Sequence, residues 1–180
     1  VSLALIDSGY NADSVYDFCV ENSEWALPSK GSSNPMNSHY KLSTVNKAGS
    51  KAQGMNLVLI DTGKYKDMIA GRMRRKNGSG SWMVYDGCDR EYAEQVTAEH
   101  KVNVRTNNGK VKQEWVQKTS HAANHYLDCE VYAMAAADVM GVRSLYLNES
   151  QEESRTQTAS NNPPAPEEQW IQENELEGWV

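Results

Sequence analysis

The sequence predicts an α/β fold in which a mixed sheet is flanked by helices, and three observations point to it. Two apolar runs, residues 1–7 and 55–61, have strand character, and each ends on an aspartate followed by turn-forming residues, Asp7-Ser8-Gly9 and Asp61-Thr62-Gly63. Stretches with helical spacing of apolar side chains lie between and after these runs. Alternation of the two patterns is what a sheet covered by helices requires.

Each element can be justified in order. The opening run reads as a buried strand already in progress, without an initiator Met, so the chain is expected to be part of a longer protein. Asn11 can cap a helix over 12–21, whose Val15, Phe18 and Cys19 fall on one face. Residues 24–28 form a weak strand, 30–37 a loop rich in Ser, Asn and Pro, and 39–46 a strand by alternation. After the second apolar run, Tyr65, Met68, Ile69, Arg72 and Met73 are at helical spacing, and that helix ends in Arg72, Arg74, Arg75 and Lys76 before an Asn-Gly-Ser-Gly loop. A short strand over 81–85 and a short helix over 90–98 follow. Residues 102–106 and 111–116, joined by Asn107-Asn108-Gly109, carry the strongest hairpin signature in the chain. The last helix is expected over 124–140.

From residue 148 onward the composition turns to Ser, Thr, Gln, Asn, Pro and Glu. This divides the chain into a domain over 1–147 and a disordered acidic tail over 148–180, with a linker to residue 166. The tail ends in an acidic stretch holding Trp170, Leu176 and Trp179, the makeup of a short docking peptide. The net charge of −6 is unevenly spread. Residues 149–180 hold eight acids and one base; removing these from the chain's 24 acids and 18 bases leaves 16 acids against 17 bases. The body is therefore near neutral, with its bases clustered.

Three cysteines, Cys19, Cys88 and Cys129, without C-x-x-C spacing support neither a disulfide framework nor a thiolate zinc site, and reduced, cytosolic conditions fit. No stretch approaches the roughly 20 apolar residues of a membrane span. His121 and His125 are four apart, but Ala122 stands where a zinc protease would have its glutamate.

Chemistry in an α/β sheet collects beyond the carboxyl ends of its strands, where Asp7 and Asp61 are expected. Asp128 stacks on Val131, Tyr132 and Ala135 of the last helix, an apolar face on which an unpaired charge costs several kcal/mol. Singly, each acid reads equally as a turn residue or a helix-end charge. If the three converge, their mutual repulsion calls for a hard divalent cation with oxygen ligands, magnesium or manganese.

The segments Ile6-Asp7-Ser8-Gly9-Tyr10, Val15-Tyr16-Asp17-Phe18-Cys19, Lys30-Gly31, Ile60-Asp61-Thr62, Lys66-Asp67, Gln95 to Glu99, Trp115, and Asn124-His-Tyr-Leu-Asp-Cys-Glu-Val-Tyr-Ala133, in this order, resemble the C-terminal nuclease domain of lambda-type large terminase subunits, the DNA-packaging motors of tailed bacteriophages. The likeness spans about residues 1–142 and is most specific at Asp-Ser-Gly-Tyr and Asn-x-x-Leu-Asp-Cys. It implies a ribonuclease-H-like fold that cuts double-stranded DNA with two Mg²⁺ or Mn²⁺ ions in the host cytoplasm. It further implies the terminase small subunit as a partner in the full-length complex, and the portal protein as a partner of the tail through Trp170, Leu176 and Trp179. Carried onto this sequence, Asp7 becomes the bridging ligand and Asp61 and Asp128 one-sided ligands, with Glu99 and Glu130 in reserve. Lys66, Arg72, Arg74, Arg75 and Lys76 become DNA contacts.

Two features depart from that plan. A helix follows the first strand directly, where the ribonuclease H plan runs into a second strand, and no G-x-x-x-x-G-K-[ST] loop is present, so ATP hydrolysis is not expected here. Two other functions fit the sequence: a non-catalytic module that docks the motor to the portal, and another ribonuclease-H-like nuclease such as a resolvase or transposase.

Overall fold

The computed structural model describes residues 1–78, 80–106 and 108–145. The chain divides into two units, Val1–Val142 and Arg143–Val180, and every element below belongs to the first. The expected linker and docking tail lie outside the described residues.

A four-stranded sheet forms from β1 (Ala4–Asp7), β2 (Ala26–Gly31), β3 (Tyr40–Thr44) and β4 (Asn56–Ile60), in the order β1-β2-β4-β3. β1 and β4 each run parallel to β2, and β3 is antiparallel to β4 at the far edge. α1 (Ala12–Glu21) crosses from β1 to β2, and α2 (Thr62–Met73) leaves the end of β4. After it come α3 (Arg90–Val96), a separate hairpin of β5 (Glu99–Arg105) and β6 (Val111–Gln117), and α4 (His125–Val139).

The core lies between the sheet and α2 with α4. Val58 and Ile60 of β4 meet Tyr65 and Ile69 of α2 and Leu127, Val131 and Ala135 of α4, all buried. Spacings of three and four place these helical residues on one stripe, and the two-residue step from Val58 to Ile60 keeps both on the same sheet face. Leu5 packs on this cluster from β1, so Asp7, two residues on, faces α4 as well. The phenol of Tyr65 donates to Asp138 Oδ2 at 2.8 Å, tying α2 to α4 where the hydroxyl would otherwise be buried alone.

The mixed sheet flanked by helices is as expected, but three details differ. β2 continues through Lys30 and Gly31, which composition marked as loop. Pro28 is tolerated in this interior strand because β2 pairs with β4 only from Ser29 onward, so the missing N–H is not required on that side. Residues 81–85 do not form a strand. Trp82 donates its amide to Arg72 O at 3.2 Å, which folds the segment back on the end of α2, and Met83, Val84 and Tyr85 stand exposed. Finally, β1 lies at the sheet edge and leads straight into α1, so the described elements do not complete the ribonuclease H plan. None of the described helices is long and apolar enough to cross a membrane.

Candidate active site

Asp7 sits at the C-terminal end of β1, where its Oδ1 accepts the Gly9 amide at 2.9 Å. A Cβ on Gly9 would come within 3.2 Å of that same oxygen, so glycine lets the turn close over the carboxylate. Asp7 and Asp128 line one cavity of about 530 Å³ between β1 and α4. Asp128 lies in the first turn of α4, its side chain 42% exposed.

The far side of Asp128 is occupied by a lysine and a glutamate. Lys66, on α2, directs its ammonium to both oxygens of Glu99 at 2.7 and 2.8 Å and to Asp128 Oδ1 at 3.5 Å. Glu99 opens β5 and is almost fully enclosed, at 6% side-chain exposure against 11% for Lys66. Asn124, at the N-cap of α4, does not cap the helix with its side chain. It spends its amide on Glu99 Oε1 at 2.7 Å and Asp128 Oδ2 at 3.4 Å. Tyr132, one turn beyond Asp128, lines the same cavity as Asp7 and Asp128.

Electrostatics agree with an excess of negative charge. The carboxyl of Asp128 is held above its ordinary pKa, chiefly by burial; Lys66 opposes the shift, while Glu99 and Asp7 add to it. Burial, followed by the charge and hydrogen bond of Asp7, pushes the Tyr132 phenol well up. Burial, aided by Asp128 and Glu130, also raises the Cys129 thiol. Asp128 thus has Asp7 across one cavity and Glu99 across the Lys66 ammonium.

The structure brings Asp7 and Asp128 together but does not bring Asp61 to them. β2 separates β1 from β4, and the register aligns Asp7 with Ser29 and Ser29 with Val58, three residues short of Asp61. Two strand spacings and three residues of rise put the Asp7 and Asp61 Cα atoms roughly 14 Å apart. Both carboxylate oxygens of Asp61 are in use. Oδ1 caps α2 through the Lys64 amide at 3.1 Å, and Oδ2 accepts the Met36 amide at 2.9 Å. An aspartate ending a strand just before a helix is also a natural N-cap, and that is the local role it takes. Glu99, named only in reserve by sequence, lies beside Lys66, which also reaches Asp128. Glu130 is turned away to accept the Tyr92 hydroxyl at 2.6 Å.

The basic residues divide likewise. Lys66 is enclosed and paired rather than displayed, whereas Arg74, Arg75 and Lys76 are exposed at the end of α2 and Arg72 is half-buried. Trp170, Leu176 and Trp179 lie outside the described residues. Asn124 was readable from sequence only within the Asn-x-x-Leu-Asp-Cys resemblance, and Tyr132 only as a packing residue. The four-residue step from Asp128 to Tyr132 placed both on one face, but nothing local pointed to Asp7.

Carboxylate oxygens suit a hard divalent cation in kind, and the surplus of acids over ammonium suits it in charge. Among the described residues, no three His, Cys, Asp or Glu side chains are gathered tightly enough to grip a metal as they stand. No curated protein and no solved structure matches the chain. A family model does, that of the terminase large subunit gpA endonuclease domain, over residues 1–151. With most of its length matched, the chain belongs to the gpA family of terminase large-subunit endonuclease domains.

Proposed function

We propose that this domain is a divalent-metal-dependent endonuclease that cuts double-stranded viral DNA during genome packaging, with Asp7, Asp128 and Glu99 as its metal-holding carboxylates. The observation that carries the reading is that Asp128 shares a cavity with Asp7 and the Lys66 ammonium with Glu99, in a chain of this family. The reading stays ribonuclease-H-like in one respect, that its leading acid ends a parallel strand. Asp61 is assigned to capping α2.

Two Mg²⁺ or Mn²⁺ ions, when bound, would activate a water and stabilise the departing 3′ oxygen, with no side-chain nucleophile. The chain's own residues supply the rest. Lys66 neutralises Glu99 and Asp128 in the metal-free protein and keeps both carboxylates oriented across the cluster. Asn124 fixes the same pair through its amide. Tyr132, in the same cavity as Asp7 and Asp128, retains its phenolic proton. Arg72, Arg74, Arg75 and Lys76 lie up to roughly 15 Å further along α2 from Lys66, at 1.5 Å per residue, and bind backbone phosphates without reading sequence. The portal protein, met by Trp170, Leu176 and Trp179, and the small subunit in the full-length complex remain the proposed partners, with the host cytoplasm as the setting.

Conversion of supercoiled plasmid to linear DNA with Mn²⁺ tests the reading. Asp7→Ala and Glu99→Gln should each abolish cleavage, while Asp61→Asn should retain it in the folded fraction. If Asp61→Asn abolishes cutting and Glu99→Gln spares it, the assignment of the third acid is refuted. If the parent chain is inactive with every divalent metal yet binds portal, the domain is a docking module.

A further inference from the structure

A second cavity, of about 380 Å³, opens between α2 and the β5–β6 hairpin and shares Lys66 and Glu99 with the acidic cluster. Its remaining lining is of two kinds. Trp115, Met73 and Leu127 give it an apolar wall, and Arg74 and Lys118 stand exposed at its rim. The indole of Trp115 is fixed in orientation: its Nε1–H donates to Asp67 Oδ1 at 3.1 Å, and Lys101 grips the same carboxylate at 2.7 Å from the paired position on β5. Asp67 and Lys101 are thus spent on holding the ring, whereas Arg74 and Lys118 form no ion pair with any described residue.

An anchored aromatic beside two unpaired cations suits a ligand with one flat apolar face and one anionic end. The cavity is in the size range of small-molecule sites, roughly 300–1,000 Å³. Resting on the nuclease reading above, we propose that this cavity receives the base of one unstacked nucleotide of the DNA substrate. Trp115 is its stacking surface, and Arg74 and Lys118 hold the adjacent phosphates. A base inside a duplex has no free face to offer, so the site favours a strand that is frayed or unpaired next to the cut. Stacking on an aromatic is tolerant of base identity, so the subsite selects strand state rather than sequence.

Calorimetric titration of the full 180-residue chain with dAMP, in EDTA to keep metal out, tests the proposal. Saturable one-site binding is expected, with deoxyadenosine and inorganic phosphate each about ten-fold weaker or more. Trp115→Ala should weaken dAMP binding about ten-fold, and Trp115→Phe should largely restore it. Lys118→Glu, at an exposed position, should weaken dAMP without weakening deoxyadenosine. Absence of saturable dAMP binding, or affinity unchanged in both Trp115→Ala and Lys118→Glu, overturns the subsite. Because Asp7-dependent plasmid cleavage is read separately, a chain that cuts DNA but fails this titration loses the subsite and keeps the nuclease reading.

Discussion

Asp128 bears a carboxyl whose charged form is disfavoured by its surroundings. Burial outweighs the help of Lys66 and holds its folded pKa above that of the unfolded chain. Between those two pKa values the native state binds the extra proton, so stability falls as pH rises through that window and stays lower above it. Asp128→Asn removes this loss. The variant should melt at a higher temperature than the parent near about pH 7, and the gap should close below about pH 4, where the carboxyl is protonated in both states. A lower melting temperature for the variant at neutral pH would show that Lys66 and Asn124 favour the charge more than burial opposes it. Conversely, a bound divalent cation should stabilise the parent more than the variant, because binding to the native state alone raises stability by mass action. The same residue scale explains why the sequence around Asp61 leaves its role open. A carboxylate after a strand and before a helix satisfies the amide donors of the first turn whether or not a metal is near, and its local sequence is identical in both cases.

At the scale of elements, α2 connects the core to the chemistry. Tyr65 and Ile69 are fully enclosed on one stripe, while Lys66 and Asp67, next in sequence to Tyr65, reach across to the β5–β6 hairpin. The hairpin makes no ladder with the main sheet, so the Lys66–Glu99 and Asp67–Lys101 pairs are the polar clamps that hold it to α2. Only the first of these pairs is enclosed. Lys66→Met should therefore cost about 3–5 kcal/mol, the scale for stranding a buried charge, as read by urea midpoints. Adding Glu99→Gln to that variant should recover much of the loss, since the stranded charge is gone. A double variant no more stable than the single one would mean that the ammonium, not the pair, supports the fold. The hairpin itself was legible from Asn107-Asn108-Gly109, and Gly109 has φ 76°, the left-handed turn position that glycine fills without strain. The absent strand over 81–85 was not legible, because Met83, Val84 and Tyr85 have β propensity, whereas the Trp82 amide is held by Arg72 O at the end of α2.

At the scale of the whole molecule, charge is divided along the chain. Residues 149–180 carry a net −7 of a total −6, which leaves the rest near +1. If Arg74, Arg75 and Lys76 bind phosphates as proposed, an acidic segment on the same chain competes with the DNA for them, and salt screens that competition over about 10 Å at 0.1 M. Deletion of residues 149–180 should tighten binding to a duplex oligonucleotide several-fold at low salt, with the advantage shrinking as salt rises. Mobility-shift titrations over a salt series would measure it. Equal affinity of the two chains at low salt would mean that the acidic segment does not compete for the basic end of α2.

Sequence alone located most of the strands and helices, though not the end of β2 or the irregular course of 81–85, because apolar period, cap residues and turn dipeptides are local properties. It also determined the family resemblance, the clustering of bases at the end of α2 and the acidity of residues 149–180. Asp7 and Asp128 were nominated by their motifs, and the fold brings them to one cavity. Only the tertiary structure decided which acid lies beside Lys66 and Asp128. Strand order is set by which apolar faces pack together, and it put β2 between Asp7 and Asp61 while the hairpin carried Glu99 to Lys66 and Asp128. No spacing along the chain encodes that exchange, since it depends on how distant elements share a core.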